Sequence, residues 1–207
     1  MDETIAAVLN SYHERIQQER TQPREAPGGR DGGQDQRMRA VGPQTGQLLN
    51  ILARSLDALT ILELGTSFGY SGIWLAEAAR ASGGRLITME VHAYKSAFAR
   101  DMAQRAGLAD RIDFQVGDAV EMIRALPDGI DFVLVDLWKD LYVPCLEVFY
   151  PKLNPGAIIV ADNIRTDRSD VTDYVRAVRA KPDMTSVMLP VGQGIEISRY
   201  GDGASHA

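Results

Sequence analysis

Thr60-Ile61-Leu62-Glu63-Leu64-Gly65-Thr66-Ser67-Phe68-Gly69-Tyr70-Ser71 reads as a short apolar strand, a glycine turn and the start of a helix. The strand is apolar enough to be buried on both faces, as strands of parallel sheets are. The helix is expected from about Ser71 to Ala81. The alternation continues downstream. RLITME (85–90) is a second strand, followed by a helix from about Tyr94 to Ala106. RIDFQV (111–116) is the third, with a helix from about Ala119 to Leu126. DFVLVD (131–136) is the fourth, with a helix from about Tyr142 to Tyr150. AIIVAD (157–162) is the fifth, with a helix from about Val171 to Ala180. Strand alternating with helix predicts an α/β fold with a doubly wound, mostly parallel sheet. The ending changes character. MTSVMLPV (184–191) and GIEISRY (194–200) face each other across Gly192-Gln193-Gly194 as a hairpin. The sheet therefore has seven strands and closes with an antiparallel pair.

Upstream of the first strand, Ile5, Val8, Leu9, Tyr12 and Ile16 recur at helical spacing within residues 4–20. TQPREAPGGRDGGQDQR (21–37) follows, rich in glycine, proline and polar residues. Loops of this length inside a domain tend to be functional lids or disordered. The expectation is one domain over 1–207, with 1–40 as a helical cap and glycine-rich loop. The GDGASHA tail should fray.

Composition narrows the class. A chain of 207 residues with 45% hydrophobic and 24% charged residues is ordinary for a globular domain. Its net charge of -6 gives no broad electrostatic reason to bind nucleic acid or an anionic membrane. Cys145, the single cysteine, rules out an internal disulfide. MDETIAAVLNSYHERI has neither the basic start nor the apolar core of a secretory signal. No run approaches the roughly 18 apolar residues of a membrane span. These features lead us to expect a cytoplasmic protein, monomeric or homodimeric, without a nucleic-acid or membrane partner.

Open α/β sheets bind ligands outside the carboxyl ends of their strands. Here those ends deliver Glu63 to Ser71, then Glu90, then Gly117-Asp118-Ala119, then Asp136, then Asp162-Asn163. The glycine pattern Gly65, Gly69, Gly72 resembles a dinucleotide loop, but Ser67 stands where its second glycine would be. By itself it is also what any tight strand-to-helix turn needs. Glu90 could accept the ribose hydroxyls of an adenosine, or be a solvated strand-end carboxylate. Asp118 could meet an adenine amino group, cap the helix that begins near Ala119, or do both. Asp136, Asp162 and Asn163 are oxygen donors without a histidine or cysteine among them. That is a hard-cation set, suited to magnesium, manganese or calcium, unless they are two unrelated caps. His13, His92 and His206 lack paired metal spacing and read as surface or tail residues. Cys145 and Trp74 read as packing.

With those residues in view, the chain resembles the metal-dependent class I S-adenosylmethionine O-methyltransferases similar to catechol O-methyltransferase. VGPQTGQ (41–47), ILELGTSFGYSG (61–72), LITMEV (86–91) and VDLWKDLY (135–142) followed by VADN (160–163) carry the likeness. The last pair is the specific part. The resemblance implies a Rossmann-like methyltransferase fold with S-adenosylmethionine as methyl donor. Gly65, Tyr70 and Ser71 would hold the methionine part, with Val41 and Gly42 closing from the other side. Glu90 would bind the ribose, and Asp118 with Trp138 would border the adenine. Asp136, Asp162 and Asn163 would bind a divalent ion, magnesium first, and Lys139 would be the general base. The full cofactor set along this edge is Val41, Gly42, Glu63, Gly65, Tyr70, Ser71, Glu90, Gly117, Asp118, Ala119, Asp136 and Trp138.

The implied reaction is methyl transfer to a catechol-like phenol bearing vicinal hydroxyls. Leu137 departs from the histidine that animal catechol enzymes carry after the strand-four aspartate. The short polar segment from Ile164 to Val171 is unlike the longer insertion of the caffeoyl-coenzyme-A branch. Three other readings compete: a metal-independent small-molecule methyltransferase, a nicotinamide-dependent oxidoreductase and a non-catalytic cofactor-binding module. Ser67 and the Asp/Asp/Asn set count against the oxidoreductase, and Lys139 with all three ion donors counts against the inert module.

Overall fold

Each expected apolar run becomes a strand of one sheet. The computed structural model describes residues 2–21, 35–57, 59–165 and 169–201. The strands are β1 (Thr60–Leu64), β2 (Arg85–Glu90), β3 (Ile112–Val116), β4 (Ile130–Val135), β5 (Leu153–Asp162), β6 (Met184–Leu189) and β7 (Ile195–Tyr200). Their spatial order is β3-β2-β1-β4-β5-β7-β6. The first five run parallel, and the β6–β7 hairpin adds to β5 antiparallel through β7. The chain winds outward from β1 to β3, then returns to lay β4 on the other side of β1. That reversal opens a crevice between β1 and β4, where doubly wound sheets take their ligands.

The helices are α1 (Glu3–Thr21), α2 (Pro43–Arg54), α3 (Tyr70–Ser82), α4 (Ala93–Arg105), α5 (Ala119–Ala125), α6 (Tyr142–Phe149) and α7 (Ser169–Arg179). Successive strand residues point to opposite faces, so the central strands feed two cores. Ile61, Phe132, Leu134, Ile158 and Val160 meet α1 to α4. Leu62, Leu64, Val133, Val135, Ile159 and Ala161 meet α5 to α7. A fully buried side chain of this kind contributes roughly 1.5–3 kcal/mol, which explains why the middle of the sheet is almost wholly apolar. Cys145 is fully buried, as expected, and burial pushes its thiol up to about 12. Trp74 is also buried. Among the described residues no helix is long and apolar enough to cross a membrane.

The expected cap helix is α1. Ile5, Val8, Leu9 and Tyr12 are its buried residues and belong to the core shared with α3 and α4. The glycine-rich stretch expected to tether it falls mostly within 22–34, outside the described residues, as do His206 and all of the tail beyond Gly201.

Two elements differ from the sequence expectation. The reading gave no helix over 43–54, yet α2 forms there. Pro43 starts it at a position where the missing N–H costs nothing. Gly46 looks like a breaker, but a Cβ there would sit 2.5 Å from Trp74 Nε1. The glycine is what lets α2 lie close against α3. β5 begins at Leu153 rather than Ala157. Its register slips between Ile130–Leu153 and Phe132–Ile158, and Pro155 and Gly156 lie within the irregularity.

Candidate active site

Backbone hydrogen bonds fix how the strand ends come together. Gly65 N and Thr66 N both donate to Met89 O (3.0 and 3.1 Å), and Asp136 N donates to Leu64 O (2.9 Å). The glycine loop therefore passes directly over the end of β4. Gly65 has φ +100°, and a Cβ there would lie 2.2 Å from Asp136 O. Only glycine supplies both that conformation and that approach. The strand ends border a cavity of about 510 Å³, within the range of small-molecule and cofactor sites. Following the strand order, its wall runs from Gly117, Asp118 and Ala119 past Glu90 and Gly65 to Asp136, then to Asp162 and Asn163. Val41, Trp138 and Lys139 also line it.

Glu90 is held rather than solvated. Its Oε2 accepts from Ser67 N (2.7 Å), and Oε1 accepts from His92 N (3.0 Å) and faces His92 Nδ1 (3.1 Å). This corrects the surface reading of His92, which is only 8% exposed and lines the cavity. It sits at the turn into α4 with extended backbone, and that geometry folds its backbone N–H and its ring Nδ1 back onto Glu90. A lone histidine without helical or metal spacing gives no sequence signal of this. His13 is likewise no free surface group. It is half-buried and its Nε2 meets Tyr70 OH at 2.8 Å. In the sequence Ser67 stands out only as a missing glycine of the loop pattern. It has φ +47°, lines the cavity beside Glu90, and its Oγ is buried without a partner among the described residues. Asp118 does cap α5, accepting from Glu121 N at 3.0 Å, and its exposed carboxylate also lines the cavity.

Four residues expected to touch the cofactor lie off this wall. Gly42 is the turn before α2, with φ +86°. Tyr70 and Ser71 are buried at the start of α3. Glu63 is fully buried behind the glycine loop. Thr88 Oγ1 donates to its Oε2 (2.5 Å). Burial pushes its carboxyl up to about 7, against the pull of the Ser71 and Thr88 hydroxyls and with the charges of Asp136 and Glu90 adding to the rise. The wall also includes Asp35, Arg39 and Lys95, which the sequence reading did not single out. Asp35 pairs with Arg39 (2.7 Å) and Lys95 (3.6 Å), joining the segment before α2 to α4. Only the folded chain brings those three together.

Asp136, Asp162 and Asn163 do come together. Asn163 Nδ2 donates to Asp136 Oδ1 (3.0 Å) and to Asp162 Oδ2 (2.8 Å). Asn163 has φ +60°, a left-handed turn that brings its side chain back beside the carboxylate pair. Asp162 is 2% exposed, and its Oδ1 has no partner among the described residues. Burial raises both carboxyls. The Asp136 charge lifts Asp162 further, to about 8, while Lys139 pulls both back. Lys139 Nζ lies 3.8 Å from Asp136 Oδ1 and 3.5 Å from Asp162 O. Among the described residues no three His, Cys, Asp or Glu side chains form a metal-binding group. The set here is two carboxylates and one amide. An orphaned buried oxygen beside a second carboxylate still suits a hard divalent cation.

Comparison with known proteins places this arrangement. A profile of the O-methyltransferase family matches residues 33–200. The chain belongs to the O-methyltransferase family. It is 38% identical over 126 residues to the catechol O-methyltransferase of Mycobacterium tuberculosis, covering 60% of this chain and 57% of that one. It is 36% identical over 132 residues to the catechol O-methyltransferase of Niastella koreensis, covering 62% and 59%. The chain thus spans somewhat under two thirds of the length of these relatives. The O-methyltransferase TomG of Streptomyces achromogenes, involved in tomaymycin synthesis and solved with S-adenosylmethionine, superposes with a TM-score of 0.72. It shares 25% identity, covering 97% of this chain and 91% of TomG. Family membership goes against the nicotinamide-dependent reading.

Proposed function

We propose that this chain is an S-adenosylmethionine-dependent O-methyltransferase acting on a catechol-like phenol with vicinal hydroxyls. The observation that carries the reading is one cavity bordered by Glu90 at the second strand end and by the half-buried Asp136 and buried Asp162, with Lys139 beside them, at the fourth and fifth. Catechol O-methyltransferase is also the name of both curated relatives above. S-adenosylmethionine would lie along the Gly65, Glu90 and Asp118 edge, with its sulfonium toward Asp136.

Methyl transfer from a sulfonium is an in-line displacement. The bond to sulfur breaks, its electron pair stays on the thioether, and the acceptor oxygen takes the methyl group. Alignment of donor and nucleophile can supply roughly 7–11 kcal/mol. The chain aligns them by anchoring the adenosine on strand ends whose positions the sheet fixes. A phenol must lose its proton to become a good nucleophile, and Lys139 is placed to take it. Asp136, Asp162 and Asn163 would hold a divalent ion, magnesium first. Once bound, that ion would orient two adjacent hydroxyls and favour the oxyanion. For it to be held, the Asn163 amide would present its oxygen in place of the N–H groups that bridge the two carboxylates.

That bridge also favours a second reading. The amide alone compensates part of the carboxylate pair, as it would in a metal-independent methyltransferase. Methyl transfer to catechol, with magnesium and with a chelator, separates the two. Chelation should abolish turnover, and Asp136→Ala should abolish it while changing cofactor affinity little. Full activity in chelator would remove the ion from the mechanism. Transfer to simple phenols but not to vicinal diols would overturn the acceptor class.

A further inference from the structure

We propose that Tyr142 is a positioning residue for Lys139, its hydroxyl holding the lysine amine beside the Asp136–Asp162 pair. The inference rests on the methyl-transfer reading for its catalytic meaning, though not for its geometry. Lys139 lies in a short turn, Lys139–Leu141, between β4 and α6. Its side chain carries about 2 kcal/mol of rotamer entropy, so a base on so long a stem acts well only where something confines it. Lys139 Nζ donates to Tyr142 OH, and it also lies 4.3 Å from the centre of that ring. Its distances to the Asp162 carbonyl (3.5 Å) and to Asp136 Oδ1 (3.8 Å) are longer. They are at or beyond the outer limit of a hydrogen bond.

Tyr142 is itself immobilised. It is fully buried, and its hydroxyl donates to Asp162 O at 2.9 Å. With that proton directed at the carbonyl, the phenol oxygen meets the lysine as an acceptor. The ring packs edge-on against Tyr174, with centroids 5.3 Å apart. Tyr174 is buried in the same layer, and its hydroxyl has no partner among the described residues. The layer thus holds one tyrosine hydroxyl with no described partner and one, Tyr142, bonded on both sides. The Tyr142 hydroxyl is placed where it ties the Asp162 carbonyl to the Lys139 amine.

Tyr142→Phe keeps the ring and removes the link. Turnover of a catechol should fall roughly 10–100-fold, the scale expected when a reacting group is displaced by about an ångström. The KM for acceptor and the magnesium affinity should hardly change, while Tm should fall by only a few degrees, the scale set by one lost buried hydrogen bond to the Asp162 carbonyl. In a Lys139→Met background the same substitution should change turnover by less than about twofold, because the group it positions is gone. A readout independent of methyl transfer is acylation of Lys139 in the resting protein, followed by peptide mass spectrometry. It should accelerate in Tyr142→Phe. An unchanged labelling rate, an undiminished effect in the Lys139→Met background, or a matching loss of magnesium affinity would each overturn the proposal. Faster labelling in a protein that methylates no phenol would instead uphold the placement and sink the functional reading.

Discussion

Removing the Glu90 carboxylate should weaken cofactor binding by the worth of one charge-assisted hydrogen bond, and it should also loosen the fold. An ionised carboxylate offers roughly four acceptor positions. Ser67 N occupies one on Oε2, while His92 N and His92 Nδ1 crowd Oε1. About one position, on Oε2, is left for a ribose hydroxyl. A bond of that kind is worth roughly 1.5–3 kcal/mol, or roughly 10- to 150-fold in Kd at about 1.4 kcal/mol per decade. Glu90→Ala also strands the buried N–H of His92, at a cost of about 1–3 kcal/mol. For a chain of this length that lowers Tm by roughly 2–12 °C. Glu90→Gln is not a gentle version of this change. Its amide turns an N–H toward either Ser67 N or His92 N, both of which are donors, so it should destabilise about as much as alanine does. Calorimetric titration with S-adenosylmethionine and thermal unfolding of both variants test the two halves separately. Wild-type cofactor affinity in Glu90→Ala removes Glu90 from the ribose site. Wild-type stability in Glu90→Gln refutes the hydrogen-bond accounting.

Two further outcomes are expected at the other end of the cavity. Lys139→Ala should lower turnover at neutral pH by about 10²–10⁴-fold while acceptor and magnesium binding stay measurable, and raising the pH should restore part of the loss as hydroxide deprotonates the phenol. Neutral-pH turnover like that of wild type would end the general-base assignment. Magnesium should raise Tm more at pH 8 than at pH 5. Asp162, raised from 3.8 to about 8 in the metal-free fold, stabilises that fold below its unfolded value and loses the contribution as pH climbs through about 8. The ion competes with the same proton, so equal gains at the two pH values in scanning calorimetry would take it away from this pair.

The parts of the site that could be read in the sequence are those that end an apolar run. Glu90 and Asp136 stop strands whose length and burial are visible as composition, and the fold rule then carries both to one edge. Asp162 and Asn163 follow for the same reason. What was hidden depends on contacts between segments distant in sequence. His92 looks like any isolated histidine until its backbone turn brings it onto Glu90. Asp35, Arg39 and Lys95 share no motif and meet only because the segment before α2 crosses α4. α2 was missed although Pro43 is a recognised helix opener. The role of Gly46 is tertiary, to admit the Trp74 indole, and nothing in the local sequence shows it. The first residues of β5 were masked by Pro155 and Gly156, which the sheet absorbs through an irregular register.

The N-terminal helix shows why packing and chemistry cannot be assigned to separate parts of this chain. Tyr12 OH donates to Phe68 O at 2.7 Å, and the Arg15 guanidinium stacks 4.4 Å above the Phe68 ring. Both contacts fall on the loop between Gly65 and Gly69, one residue past the Ser67 N–H that grips Glu90. Further along α1, Arg15 donates to Gln36 O (2.6 Å) and Glu19 accepts from Met38 N (3.0 Å). These hold the segment 35–41, which contributes Asp35, Arg39 and Val41 to the cavity. One helix therefore braces two opposed walls of the same site. Gly69 reinforces the arrangement, because a Cβ there would crowd Ala99 at 2.7 Å and Tyr12 OH at 3.3 Å. A change on the buried face of α1 should therefore be felt at the glycine loop and Glu90 through the Phe68 carbonyl, without any α1 side chain touching Glu90. The amphipathic periodicity that marks residues 4–20 as a helix is thus also the pattern that keeps the glycine loop in shape.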